Sequence, residues 1–259
     1  MRTFLFVGNL KMNLLSQDEA EQYLSVLNRE MQGKTFENTL GILCPPAVYL
    51  HLFESLPSGI VSGAQNASFE KNGPYTGEIS PVMLKSDGIE YVILGHSERR
   101  VHFGETDEMV KRKVDAALKY LLQPIVCIGE SETERKRQET VSVLEKQVRS
   151  VFAGLSKLQA EKIILAYEPR WAIGTDLLPT TTEIFEVRVL LRKILTELFD
   201  GATAKRIRIL YGGSVKSAFL HAVSFDAEMD GVLVGRESLF PYEVVKMMSL
   251  FEENAKQEV

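Results

Sequence analysis

The chain is predicted to fold as a single closed barrel of eight parallel strands ringed by helices, a (β/α)8 architecture of the α/β class. Three observations carry that expectation. Eight short apolar runs recur between longer helical patterns. The runs are rich in Ile, Val and Leu and mostly do not alternate with polar residues, as strands buried on both faces do not. The 259 residues suit eight strand–helix units in one domain spanning 1–259, with no linker, repeat or low-complexity segment dividing them.

The elements follow in order. The first run, Phe4–Val7, precedes Ser16-Gln17-Asp18-Glu19, a capping box in which the hydroxyl accepts from the N3 amide and the glutamate reaches back. Leu40–Cys44 and Ile60–Ala64 are the second and third runs. Ser80-Pro81 then offers an N-cap with proline at the first helical position. Tyr91–Leu94 is the fourth run, and a short helix can begin at Ser97. After Ile125–Ile128 comes a second capping box, Ser131-x-x-Glu134. Val141, Leu144, Val148, Val151, Phe152 and Leu155 then form a stripe at helical spacing. Ile163–Tyr167 precedes the third box, Thr180-x-x-Glu183; Ile207–Tyr211 and Val232–Val234 complete the set. A final helix runs from Leu239-Phe240 through Phe251. Strict alternation implies parallel strands joined by right-handed crossovers. An open doubly wound sheet is the alternative, but its usual G-x-G-x-x-G is missing, since no G-x-G occurs anywhere.

Composition narrows the function. The net charge of -5 argues against a nucleic-acid binder. The basic run Arg135-Lys136-Arg137 sits among glutamates and reads as a solvated helix face. Cys44 and Cys127 follow apolar runs and read as buried strand-end thiols, with neither disulfide nor zinc spacing. The N-terminal residues carry no signal-peptide pattern, and no apolar stretch reaches membrane-spanning length. A reducing cytoplasm is the expected compartment.

In barrels of this kind, function gathers where strands end at the C-terminal face. Lys11 stands directly after the first run, in Asn9-Leu10-Lys11-Met12-Asn13. It reads either as a lysine snorkelling to solvent or as a fixed positive charge aimed at an anionic ligand. After the fourth run comes Gly95-His96-Ser97-Glu98-Arg99-Arg100. A helix start at Ser97 would favour a neutral His96 imidazole, which can donate to a carbonyl oxygen gaining charge. Glu98 and Arg99 read as structural ion-pair partners. Glu168 follows the sixth run, where a carboxylate is costly unless hydrogen-bonded or catalytic. The loop Pro169-Arg170-Trp171-Ala172-Ile173-Gly174-Thr175 is apolar enough to pack over something, as a lid or as a plain packed loop. Gly212-Gly213-Ser214 and Gly235-Arg236, after the seventh and eighth runs, suit a phosphate held by backbone amides.

Together these segments resemble triosephosphate isomerase. The matching pieces are Asn9–Asn13, Gly95–Arg100, Phe103–Glu105, Cys127–Glu130, Tyr167–Thr175, Tyr211–Val215 and Gly231–Gly235, in order and without a large gap. The resemblance implies interconversion of dihydroxyacetone phosphate and D-glyceraldehyde 3-phosphate through an enediolate, in glycolysis and gluconeogenesis, with no cofactor and no metal. The family is an established case of tuned acid–base chemistry, so the roles come with the likeness. Glu168 is the implied base, His96 the neutral electrophile, and Lys11 the charge that offsets enediolate and phosphate. Asn9 would contact the substrate. Amides of Gly174, Ser214, Gly235 and Arg236 would hold the phosphate. Asn66 and the Gly73–Glu78 loop resemble the segment that inserts into a partner subunit, with Thr76 near the neighbour's active site, so a homodimer is expected.

Three departures stand out. Arg236 replaces a usual second glycine, which matters if the backbone there needs positive φ. Arg170 occupies the lid's first hinge, and Asp176-Leu177-Leu178 the second. Rival readings are a Schiff-base aldolase, a metal-dependent sugar isomerase and an inactive binding scaffold. Against them stand Glu168 rather than lysine after the sixth run, histidines at 51, 96, 102 and 221 that do not gather with acids, and retention of Lys11, His96 and Glu168.

Overall fold

The computed structural model describes residues 3–172 and 178–257. Eight strands form: β1 (Phe4–Asn9), β2 (Thr39–Cys44), β3 (Ile60–Ala64), β4 (Tyr91–Leu94), β5 (Gln123–Ile128), β6 (Ile164–Tyr167), β7 (Arg208–Tyr211) and β8 (Gly231–Val234). They pair in sequence order, all parallel, and β8 closes onto β1 to make a barrel. Each strand expected from the apolar runs is present, β3 and β4 with the expected bounds and the others with ends displaced by one or two residues.

The non-alternating runs have a direct structural cause. Successive strand residues point to opposite faces, and here both faces are buried. Leu5, Val7, Ile42, Ile93, Ile125, Ala166, Leu210 and Leu233 fill the barrel interior. Their neighbours Phe4, Phe6, Leu43, Val92, Val126, Leu165, Ile209 and Val232 pack outward against the helices. Burial of both sets at about 25 cal/mol per Å² of apolar surface is the main drive for closure.

The helices are α1 (Gln17–Met31), α2 (Pro81–Ser86), α3 (Ser97–His102), α4 (Asp107–Lys119), α5 (Glu132–Lys136), α6 (Thr140–Phe152), α7 (Lys157–Ala160), α8 (Thr181–Leu198), α9 (Gly201–Arg206) and α10 (Pro241–Gln257). The capping boxes at Ser131 and Thr180 form as expected. At Ser16 the hydroxyl does accept from the Glu19 amide, but the Glu19 carboxylate accepts from the Leu15 N–H instead of the Ser16 N–H. The α6 stripe also shifts. Val141 is exposed near the helix start, and the buried face is Leu144, Gln147, Val148, Val151 and Phe152. Gln147 belongs there because its amide brackets Gly129 after β5, accepting from Gly129 N at 2.8 Å and donating to its oxygen at 3.3 Å. The last helix starts at Pro241, because Arg236–Leu239 forms a 3-10 turn first. A 3-10 segment, Ala47–Phe53, follows β2, and β3 leads into an extended loop before α2. Both cysteines are buried and free, as expected.

Candidate active site

The pleat that fills the barrel also aims the site. Residues two places beyond an inward strand position face the same axis. Val7 and Ala166 are inward, so Asn9 and Glu168 follow them at the mouth; Leu210 and Leu233 are inward, so Gly212 and Gly235 do the same. All four line one cavity of about 820 Å³ at the C-terminal face. His96, Lys11, Ser214 and Arg236 line it too. Seven of the eight candidate site residues therefore converge. The eighth, Gly174, lies with 173–177 outside the described residues, as does most of the second lid hinge.

His96 caps α3 rather than lying within it. Gly95, at φ +70°, turns the chain after β4, and His96 becomes the N-cap. Its Nδ1 accepts from the Glu98 N–H at 3.3 Å. That bond occupies the Nδ1 lone pair, so the neutral ring carries its proton on Nε2. Nε2 lies 3.1 Å from Glu168 Oε1. The other carboxylate oxygen, Oε2, accepts from Ser97 N at 2.9 Å. Glu168 is almost fully buried, and these two donors satisfy its charge. Its backbone is pinned on both sides. Glu168 N donates to Ile128 O at 2.7 Å, and Gly212 N donates to Tyr167 O at 2.7 Å. Gly212 leaves room for the side chain: a Cβ there would sit 2.8 Å from Glu168 Cγ.

Lys11 does not snorkel freely. Its ammonium donates to Glu98 Oε1 at 2.6 Å. Burial raises the Glu98 pKa, but the Lys11 hydrogen bond and charge, with smaller help from His96 and His102, outweigh it and leave Glu98 below the usual carboxylate range. The Lys11 backbone has φ +53°, the left-handed region that non-glycine residues rarely occupy. Two bonds hold it there: its N–H donates to Asn9 Oδ1 at 3.0 Å, and its carbonyl accepts from Gln65 Nε2 at 2.8 Å. Gly235 lets the lysine stem pass, since a Cβ there would meet Lys11 Cε at 3.0 Å. Glu98 and Gln65 are positioning residues that sequence reading assigned only to an ion pair or overlooked. A signal was available for Glu98, two places after His96 on the first turn of α3.

Arg236 is not in the positive-φ region, so the condition under which that departure would matter is not met, and Arg236 opens a 3-10 turn. Ser214 Oγ donates to Ala172 O at 3.0 Å, tying the loop after β7 to the segment after β6. That segment is held by a network around Glu130. Trp171 Nε1 donates to Glu130 at 2.8 Å, and the Tyr167 hydroxyl lies 3.2 Å from the same carboxylate. Burial raises the Glu130 pKa against these opposing bonds. Arg170 pairs with Glu134 at 3.0 Å, the capping-box glutamate of α5. Arg135 was expected on a solvated face. Its helix α5 buries no residue, and on that open face Arg135 stacks over the Trp171 ring at 3.7 Å and pairs with Glu183 at 2.6 Å.

The site chemistry is a buried carboxylate beside an Nε2–H donor, with an ammonium and glycine-flanked amides around one cavity. The family model described as triosephosphate isomerase matches residues 4–251. A relative named triosephosphate isomerase from Dictyoglomus thermophilum is 43% identical over 93% of this chain and 96% of its own length. One of the same name from Clostridium botulinum is 43% identical over 92% of this chain and 96% of its own. A third, from Clostridium beijerinckii, is 40% identical over 93% and 96%.

Proposed function

This chain belongs to the triosephosphate isomerase family and is an enzyme of that type acting on triose phosphate, and on that footing we propose how its residues perform the reaction. The enzyme interconverts dihydroxyacetone phosphate and D-glyceraldehyde 3-phosphate. Glu168 takes the proton from the carbon next to the carbonyl. The C–H electron pair becomes the C=C bond of an enediolate, and the carbonyl oxygen gains the charge. His96 Nε2–H donates to that oxygen and helps move the hydroxyl proton. The protonated Glu168 then returns its proton to the neighbouring carbon. Lys11 and Asn9 face the developing oxyanion. Amides of Gly174, Ser214, Gly235 and Arg236 hold the phosphate.

One observation carries this reading. The same Nε2–H that substrate would need lies 3.1 Å from Glu168, so donor and base already face one point. Substrate would enter by taking Nε2–H from Glu168, releasing the carboxylate toward carbon. A positioned base contributes roughly 10²–10⁴-fold. The remainder is assigned to fixed donors and the ammonium, which stabilise the enediolate in a site closed to water.

The proposal extends to a homodimer. Met12 (89% exposed), Leu15, Val48, Val101 and Phe103 (67%) leave large apolar side chains in solvent. Tyr75 does the same in the wholly exposed Gly73–Glu78 loop. All lie on segments following β1 to β4, on one side of the rim, and a second copy would cover them. Asn66, at the base of that loop, accepts from Lys113 Nζ at 2.8 Å and anchors it. The enzyme is placed in the cytoplasm, in glycolysis and gluconeogenesis. Among the described residues, no helix is long and apolar enough to cross a membrane.

The test is a coupled assay with each triose phosphate in EDTA, run beside Glu168→Gln. Turnover by the unchanged chain, with kcat down by at least about 10²-fold in the folded variant, is expected. Near-normal turnover by Glu168→Gln would refute the base assignment.

A further inference from the structure

We propose that the guanidinium of Arg236, together with the ammonium of Lys216, binds the substrate phosphate directly, adding two side-chain cations to an amide cradle. This rests on reading the cavity as the triose phosphate site. Among the described residues, three cations line that cavity: Lys11, Lys216 and Arg236. Lys11 is paired with Glu98 at 2.6 Å and is assigned to the developing oxyanion. Among the described residues, neither Lys216 nor Arg236 makes a hydrogen bond or ion pair with any other side chain, although both are exposed at the rim. For Arg236 that is uncommon in this chain, although unpaired lysines such as Lys34, Lys71 and Lys85 are not. Arg99, Arg100, Arg112, Arg135, Arg149 and Arg170 each close on a carboxylate.

Among the described residues, the carboxylates facing the cavity are Glu98, Glu168 and Glu237. Glu98 is neutralised by Lys11, and Glu168 is held by His96 and Ser97 N. Glu168 keeps its charge but faces His96 across the cavity, whereas the cavity-lining charges on the described loops after β7 and β8 are the two unpaired cations against the single carboxylate of Glu237. The positions are also right. Arg236 follows Gly235 after β8, and Lys216 follows Ser214 after β7. These are the two loops whose amides are assigned to the phosphate. A guanidinium presents paired N–H donors that match two phosphate oxygens, and the ordinary φ at Arg236 lets it do so without backbone strain.

The experiment uses the full chain, Arg236→Gln, Lys216→Gln and Arg236→Lys, with inorganic phosphate as the probe. Solvent weakens such contacts, so Arg236→Gln is expected to raise both KM and the phosphate inhibition constant by about five- to tenfold. Lys216→Gln should act in the same direction with a smaller factor, and Arg236→Lys should recover part of the loss. The fall of kcat/KM with added salt should be shallower in both Gln variants, because a screened attraction has been removed. KM and phosphate inhibition within twofold of the unchanged chain in both Gln variants would overturn the proposal. So would a fall in kcat with KM and phosphate inhibition unchanged, which would make Arg236 a structural residue. If the unchanged chain turns over neither triose phosphate, the functional reading fails. Calorimetric titration with phosphate then still decides whether Arg236 and Lys216 form an anion site.

Discussion

Replacing Gly212 with alanine adds one methyl group and no chemistry, yet it should cripple the proposed base. The new Cβ would lie 2.8 Å from Glu168 Cγ, against 3.4 Å or more for ordinary contact. The backbone cannot retreat easily, because Gly212 N is bonded to Tyr167 O at 2.7 Å and the Cβ also meets that oxygen at 3.3 Å. The Glu168 side chain must therefore move by about 0.6 Å, the gap between those two contact distances. A shift of that size along the bond axis would take the 3.1 Å contact to His96 Nε2 past hydrogen-bonding distance, or the 2.9 Å contact to Ser97 N to its edge. Misplacement by 1 Å can cost on the order of 10²-fold in rate, so a loss of about 10- to 100-fold in kcat is expected. Overpacking costs roughly 1–3 kcal/mol, while domains of this kind hold about 5–15 kcal/mol, so the protein should stay folded. The assay is kcat by coupled turnover, paired with urea unfolding of the same sample. A kcat within twofold of the unchanged chain would refute the claim that Gly212 sets the position of Glu168. So would a rate loss fully explained by unfolded protein.

Other predictions follow from single contacts. Gln147→Leu leaves the buried Gly129 N–H without its acceptor and should destabilise the fold by about 1–3 kcal/mol in urea unfolding. Burial raises the Glu130 pKa in the folded state, so the native chain holds that proton to higher pH than the unfolded chain. Its contribution is therefore most favourable at acid pH and falls as pH rises from the ordinary carboxylate range through the raised value. The stability of the unchanged chain relative to Glu130→Gln should decline over that interval, and a flat or rising difference in unfolding titrations would contradict it. Thr76→Arg places a charge at the tip of the exposed loop assigned to the interface and should shift the species in sedimentation velocity toward monomer.

The legibility of the sequence differed by level. Apolar runs exposed the strands because both faces of each strand are buried, which removes polar residues from the pattern whatever the helices do. Capping boxes at Ser131 and Thr180 were legible because their bonds close within four residues. The same motif at Ser16 read almost correctly. The difference is one amide, Leu15 in place of Ser16, and local geometry alone does not separate the two. Gln147 was invisible because its partner is Gly129, eighteen positions away, so the core-facing polar residue looked like a break in the stripe. Arg135 lies on the open helix that was expected, but its ring contact was hidden for a similar reason. Its aromatic partner, Trp171, lies on another loop, and only the fold brings the ring beneath the guanidinium.

By itself the sequence determined the barrel, the order of its strands and the kinds of residues at each strand end. Those features depend on periodicity and neighbour identity, which a chain carries along its length. Tertiary structure alone decided that Lys11 is held by Glu98, that His96 turns Nε2 toward Glu168, and that Arg236 sits at the cavity rim without an ion-pair partner among the described residues. The Lys11–Glu98 and His96–Glu168 contacts join segments after strands far apart in sequence, and the rim that exposes Arg236 is likewise built by several strand ends. Closing β8 onto β1 is the event that sets their distances, and no local rule contains it.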